Sequence, residues 1–207
     1  WEKSMQVNNI KMFRRILCCN LIMAWSLSLS CLAGAAAVDS ALTGKETIAS
    51  NRASIMDFGA VAGGEALNTR AIQAGIDQLA SKEGGTLVIP RGVFLSGAVF
   101  LKPGVNLYLE NGAVLKCSTD MKNFPEQRTR IEGHFEDHFN PALINATGCD
   151  GLRITGAGTL DGNGRPIWDR FWKLRRASRD PKNFKNVGVP RARLCFIEGS
   201  KNVVIDG

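Results

Sequence analysis

"GLRITG" at residues 151–156 decides the fold, because the chain contains it in three versions. It superimposes without gaps on "NLYLEN" (106–111) and on "NVVIDG" (202–207). Leu107, Leu152 and Val203 then share one column, and Leu109, Ile154 and Ile205 share another. Tyr108, Arg153 and Val204 fall between them, so every copy presents one apolar face with a period of two. An Asn or Gly opens each copy. A recurring strand of this kind cannot bury its own apolar face, and stacked neighbours must bury it instead. The pattern predicts a parallel β-helix. The copies lie 45 and then 51 residues apart, so each interval is expected to hold about two coils plus loops.

Working outward, "TLVIP" (86–90), "GVFLSG" (92–97), "AVFL" (98–101) and "AVLKC" (113–117) are further short strands, separated by Gly, Pro or Asn. Before them, "LNTRAIQAGIDQLASKEGG" (67–85) has a different period. Ile72, Ile76 and Leu79 recur at helical spacing, Asn68 or Thr69 can cap the start, and Gly84-Gly85 closes the end. This helix is expected to cap the N-terminal end of the solenoid core, because the first coil has no neighbour below it. Many short strands and one predicted helix exclude a doubly wound α/β fold.

"GAGTLDGNG" (156–164) carries four glycines and one carboxylate. The dinucleotide fingerprint G-x-G-x-x-G fails at Asp161, and Pro166 stands where a helix would have to continue. A calcium loop fails at Arg165. What remains is turn chemistry: a glycine corner, the short strand "TLDG" and a second corner, with Asp161 expected to accept backbone hydrogen bonds.

The chain has 207 residues, of which 44% are hydrophobic and 22% charged, a globular composition. Its first 37 residues read differently. Lys11, Arg14 and Arg15 precede the apolar run Ile16–Leu32, and Ala35–Ala37 offers a cleavage site, the layout of a secretory signal peptide. The run is interrupted by Asn20 and several serines, so a stable membrane span is not expected. Residues 1–37 are therefore assigned to upstream residues and signal, 38–54 to a polar lead-in, and 55–207 to the β-helix. Cleavage near Ala37 removes four bases and one acid from a net charge of +7 and leaves +4. It also removes Cys18, Cys19 and Cys31, leaving Cys117, Cys149 and Cys195, which are widely spaced and expected to be buried packing thiols. Neither zinc spacing nor a disulfide framework is present. Ten Lys or Arg lie between Arg165 and Arg193 against Asp169 and Asp180, a patch suited to a polyanion or to a solvated loop.

Three segments carry polar chemistry. "EGHFEDHF" (132–139) places His134 and His138 four apart, but Phe135 stands where a zincin needs Glu, so a hydrogen-bonded loop is expected. The polar stretch 118–142 is expected to loop at a cleft rim. "IWDRFWKLRR" (167–176) mixes aromatic and basic residues. Aromatic faces can stack on sugar rings and Arg can pair with carboxylates, which makes Trp168, Arg170, Arg175 and Arg176 candidate substrate-binding residues. The alternative is that the tryptophans anchor the loop and the bases are solvated. Asn145-Ala146-Thr147 is a glycosylation sequon.

Taken together, "FGA" (58–60), "NTRAIQ" (68–73), "GGTLVIPRGVFLSG" (84–97) and "GAGTLDGNG" followed by "WD" (156–169) resemble polygalacturonase-like pectin glycosidases of glycoside hydrolase family 28. The resemblance runs from about Ile55 to Gly207 and covers an N-terminal portion only. It implies an all-β, right-handed parallel β-helix with an N-terminal capping helix, incomplete at its C-terminus. It implies hydrolysis of α-galacturonosyl linkages by inversion, with two carboxyl groups roughly 6.5–9.5 Å apart. It implies an acidic plant polysaccharide as partner, not nucleic acid, with no cofactor or metal and a monomeric full-length protein. The family draws its catalysis from Asn-Thr-Asp, Asp-Asp, Gly-His-Gly and Arg-Ile-Lys motifs, none of which occurs here; Arg130-Ile131-Glu132 and Gly133-His134-Phe135 are only near matches. No catalytic residue is therefore assigned within residues 1–207, the reacting coils are expected beyond Gly207, and this chain alone is expected to be inactive. A β-helical polysaccharide lyase or epimerase, or a non-catalytic β-helical binding protein or adhesin, remain the alternatives.

Overall fold

The computed structural model describes residues 51–131, 134–185 and 189–207. The signal peptide, Cys18, Cys19, Cys31, most of the lead-in, and Glu132 and Gly133 lie outside the described residues.

Alternating apolar residues produce short strands that turn corners every few residues. In chain order these are β1 (Arg52–Ser54), β2 (Gly85–Ile89), β3 (Gly92–Ser96), β4 (Val99–Leu101), β5 (Val105–Leu109), β6 (Ala113–Cys117), β7 (Gln127–Ile131), β8 (His134–Phe139), β9 (Ile144–Thr147), β10 (Arg153–Gly156), β11 (Thr159–Asp161), β12 (Cys195–Glu198) and β13 (Val204–Ile205). Two helices, α1 (Thr69–Ser81) and α2 (Arg165–Ala177), interrupt them. The strands stack into three parallel sheets: β1-β2-β5-β10-β13, β3-β6-β11 and β4-β9-β12. Each coil gives one strand to each sheet, which is a parallel β-helix. Inside it, Leu87, Leu107, Ile154 and Ile205 form one ladder, and Phe94, Leu115 and Leu160 form a second. Phe94, Leu87, Leu107 and Leu115 are fully buried, and each such side chain contributes about 1.5–3 kcal/mol.

The repeat is real, but its spacing differs from the expectation in two ways. β5, β10 and β13 are direct neighbours, so each interval holds one coil and not two. The surplus length goes into insertions. The gapless superposition is also displaced on one side: Ile154 pairs with Ile205 as aligned, but with Leu107 rather than Leu109. A slip of two residues keeps every side chain on its own face, so hydrophobic pattern alone cannot detect it. The register is fixed by the corners, where Arg153 N–H donates to Asn106 Oδ1 at 2.8 Å and Gly156 closes on Leu109.

α1 closes the N-terminal end of the core with Ile72, Ile76 and Leu79, as its period predicts. Its cap differs from the expectation. Asn68 makes no side-chain cap. Its amide is buried and clamps the preceding loop, accepting from Val61 N–H at 2.6 Å and donating to the carbonyls of Val61 and Ala66 at 3.0 and 2.8 Å. Thr69 Oγ1 accepts from Gly97 N–H at 2.7 Å instead. Gln73 holds both the N–H and the carbonyl of Phe100, which ties the helix to β4. The helix ends as read, with Gly84 N–H donating to Leu79 O at 2.9 Å. The lead-in ends sooner than its polarity suggests, because Arg52–Ser54 pairs with β2.

Cys117 and Cys149 are buried free thiols, as expected of packing cysteines, whereas Cys195 is free but only half-buried. Burial, and then the charge of Asp161, push the Cys117 thiol up to about 11. Burial likewise raises Cys149 and Cys195. In the unfolded chain a thiol titrates near ~8.5. The folded state therefore holds the proton more tightly, and this contribution to stability is fully present below about pH 8.5 and fades as pH rises toward the folded value. The urea midpoint is expected to fall between about pH 9 and 11, and to fall less steeply in Cys117→Ala; equal slopes would show that this thiol is not desolvated.

Candidate functional site

The corner between the second and third sheets is where the coils differ. In the first coil Gly97 and Ala98 suffice to join β3 to β4. In the second coil residues 118–143 fill the same corner, and in the third residues 162–194. Two successive coils therefore extend insertions from one edge of the solenoid.

The second-coil insertion begins with a tight turn. Asp120 Oδ1 accepts from Lys122 N–H at 3.0 Å, and Ser118 Oγ accepts from Asn123 Nδ2 at 2.8 Å. The rest of this insertion is not the expected loop. β7 and β8 pair as an antiparallel hairpin, because β-branched and aromatic residues stand among its charges. Arg128 lies over the Phe135 ring at 4.2 Å and within 3.2 Å of Asp137. His138 Nδ1 lies 3.0 Å from Glu126 Oε2, and His134 Nε2 3.7 Å from Glu136 Oε1, so the histidines are used in separate pairs. Among the described residues no three His, Cys, Asp or Glu side chains converge as a metal site would need.

The third-coil insertion contains α2, where the sequence reading placed a loop. Pro166 does not break this helix; it stands in the first turn, where its fixed φ suits helix entry and no N–H is missed. Rejection of a dinucleotide site therefore rests on Asp161 and the solenoid topology, not on Pro166. Arg165 Nε reaches both carboxylate oxygens of Asp169 at 3.1 Å, and Arg175 and Arg176 sit favourably in the last turn. The corner before α2 behaves as read: Asp161 Oδ1 accepts from Asn163 N–H at 2.8 Å. The helix buries only Phe171, which meets Trp168 and Trp172 edge-on at 5.4 and 5.3 Å and lies 5.6 Å from Phe184. Ile167, Trp168, Phe171, Trp172 and Leu174 recur at helical spacing, but a proline in the first turn and the crowd of arginines hid the helix from the sequence.

The four candidate substrate residues do not converge. Arg175 stacks on Trp172 at 5.1 Å, and its Nε donates to the Pro181 carbonyl at 2.8 Å. Arg176 is exposed in the same last turn. Trp168, half exposed, lines a small pocket with Gly162, Gly164 and Phe171. Arg170 faces elsewhere, into a groove of about 570 Å³ between α2 and the 119–122 turn, shared with Asp120, Lys122 and Ile167. Val189 and Pro190 form one side of this groove and also border a second of about 430 Å³, which holds His138, Arg191 and Arg193. Arg193 lies over the Phe139 ring at 4.4 Å. Lys122, Arg191 and Arg193 were not singled out from the sequence; only the excess of base over acid between Arg165 and Arg193 pointed toward the last two. The first groove sets Lys122 and Arg170 beside Asp120, whose Oδ1 is engaged with backbone, and the second sets Arg191 and Arg193 beside Glu136 and His138, so cations outnumber carboxylates in both.

No protein-family model matches the chain. "Probable polygalacturonase" of Vitis vinifera is 34% identical over 132 residues, 58% of this chain and 26% of its own length. The exo-poly-alpha-D-galacturonosidase of Dickeya chrysanthemi is 35% identical over 124 residues, 56% of this chain and 20% of its own length. The structure of the Yersinia enterocolitica family 28 exopolygalacturonase superimposes with a TM-score of 0.55 at 26% identity, covering 74% of this chain and 33% of that one. The chain is similar to polygalacturonase-like glycosidases of family 28 over part of their length. It spans about a quarter of the length of the curated relatives it matches. Its fold is the right-handed parallel β-helix of these polygalacturonases, with α1 as the N-terminal cap. Among the described residues no helix is long and apolar enough to cross a membrane.

Proposed function

We propose that residues 55–207 are the first coils of a secreted glycoside hydrolase that cleaves α-galacturonosyl linkages in pectic chains with inversion. The observation that carries this reading is the joint likeness, in sequence and in fold, to relatives named for polygalacturonan hydrolysis. The basic corner supports it, since an anionic polysaccharide is matched by cations set beside apolar walls. Residues 1–37 comprise upstream residues and an export signal that is cleaved near Ala37. Trp168, Arg170, Arg175 and Arg176 contribute to substrate contact from α2, and the full-length protein is a monomer. The acid and the base come from later coils, because inversion needs two carboxyl groups about 6.5–9.5 Å apart with water between them, and the motifs that supply them are absent from residues 1–207.

Reading the gene beyond codon 207 tests this directly. Asn-Thr-Asp, Asp-Asp, Gly-His-Gly and Arg-Ile-Lys are expected within the next ~100–150 residues, about one domain's worth. The encoded protein should release reducing ends from polygalacturonate with inverted configuration, and residues 1–207 alone should release none. Later coils without those carboxylates would overturn the hydrolase reading in favour of a β-helical binding protein.

A further inference from the structure

We propose that Asn111 is a site of self-modification, where the side-chain amide is lost and aspartate or isoaspartate remains at the corner between β5 and β6. The inference is independent of the pectic reading. The chain contains two Asn-Gly pairs, Asn111-Gly112 and Asn163-Gly164. A glycine after asparagine leaves the next backbone nitrogen unshielded by a Cβ, so that nitrogen can reach the side-chain carbonyl carbon. The structure separates the two pairs. Asn111 is exposed, and among the described residues its side chain has no hydrogen-bond partner. The Gly112 N–H likewise has none among them, and one turn hydrogen bond, from Ala113 N–H to Glu110 O at 2.9 Å, spans the pair. The Arg91 side chain lies along Gly112, its Nε 3.5 Å from where a Cβ would stand, and a cation there favours loss of the attacking nitrogen's proton. Asn163 is held instead. Its N–H donates to Asp161 Oδ1 at 2.8 Å, and its Nδ2 donates to Cys117 O at 3.0 Å. The Gly164 carbonyl beyond it accepts from Trp168 N–H at 3.0 Å in the first turn of α2.

In the reaction the Gly112 nitrogen bonds to Asn111 Cγ and gives up its proton, the Cγ–Nδ2 bond breaks, and ammonia leaves with that proton. Water then opens the resulting cyclic imide at either carbonyl. Opening at the side-chain carbonyl gives aspartate. Opening at the backbone carbonyl routes the main chain through the side chain and lengthens it by one carbon. The position is sensitive to such a change. Gly112 O accepts from Gly92 N–H at 3.1 Å, next to the register that stacks Phe94 on Leu115. A longer corner there loosens the second coil from the first, so the reaction acts as a clock on the folded solenoid.

The test is peptide mapping by mass spectrometry of the 207-residue chain held folded in warm, mildly alkaline buffer, beside the same chain unfolded in urea. In urea both pairs should convert at similar rates, because only local sequence remains. In the folded chain Asn111 should convert about tenfold or more faster than Asn163, with isoaspartate at 111, since Asn163 must first give up its hydrogen bonds. No conversion at Asn111 in the folded chain, or conversion at Asn163 as fast as at Asn111, would overturn the assignment. Asn111→Gln, whose longer side chain closes the ring poorly, should keep its urea midpoint through the incubation while that of the unsubstituted chain falls. Equal losses in the two would overturn the link between this residue and the stacking of the coils.

Discussion

Gly156→Ala is expected to cost about 4 kcal/mol, a large share of the ~5–15 kcal/mol that holds a domain together. Gly156 ends β10 with φ +111°, a region that L-residues adopt only at a cost of about 1–3 kcal/mol. The second contribution comes from stacking. Gly156 pairs with Leu109 of the coil before it, and an added Cβ would fall on the Leu109 carbonyl oxygen. That oxygen belongs to backbone and cannot swing aside as a side-chain tip can, so relief requires β5 and β10 to part. Overpacking of this kind costs a further ~1–3 kcal/mol. Gly148→Ala separates the two effects: Gly148 has φ +65° but open space around a built Cβ, so it should lose only ~1–2 kcal/mol. Urea midpoints followed by circular dichroism decide the matter. Equal losses in the two variants would mean that β5 and β10 do not stack in this register.

The same corner shows what the sequence could and could not disclose. Alternation in "NLYLEN", "GLRITG" and "NVVIDG" was enough to identify strands, the apolar face and the solenoid, because side-chain parity follows directly from the pleat. It could not fix the register between β5 and β10, since a shift of two residues leaves Leu107, Leu109 and Ile154 on the same face. Nor could it count coils: insertions of different length at one corner make equal coils look unequal in sequence. α1 was legible because Ile72, Ile76 and Leu79 all enter the core, whereas α2 buries Phe171 alone and carries its remaining stability in surface pairs and an aromatic cluster. β12 and β9 escaped notice for another reason. "CFIE" is short and half-buried throughout, and "INAT" places a polar residue in the middle of a buried run.

The candidate site was less legible than the fold. Composition disclosed a basic patch, and Arg170 was among the residues it drew attention to. Its partner Lys122 lies 48 positions earlier, in a turn whose only visible signature is Asp120 as a cap. Proximity between those two residues follows from stacking the second coil on the third, which no local pattern encodes. The hairpin and α2 belong to the variable corner of an otherwise repetitive scaffold, and binding groups concentrate in such loops on rigid frames.

Asn145→Ala is expected to cost about 3 kcal/mol, through hydrogen bonds and not through volume. Asn145 is the second residue of "INAT" and only 4% exposed. Alternation sends Ile144 and Ala146 into the core and leaves Asn145 on the other face of the third sheet, in register with Phe100 and Phe196. Its amide works in both directions. Oδ1 accepts from Ala142 N–H at 2.8 Å, while Nδ2 donates to the carbonyls of Ala142 and Val99 at 2.7 and 3.1 Å. It thereby fixes where the chain re-enters the solenoid after the hairpin and binds the second coil to the first. Alanine would leave a buried N–H with no acceptor, at ~1–3 kcal/mol, and would weaken two carbonyl contacts as well. Asn145→Asp should be at least as harmful, since it sets a carboxylate against two carbonyl oxygens. The same geometry opposes use of the sequon: a glycan on Nδ2 would take the place of one of those two donors and has no room at a buried amide. Mass spectrometry of folded protein from a eukaryotic secretory host should find the Asn145 peptide unmodified. A glycosylated yet fully folded chain, or an Asn145→Ala variant with an unchanged urea midpoint, would place this side chain outside the structure described.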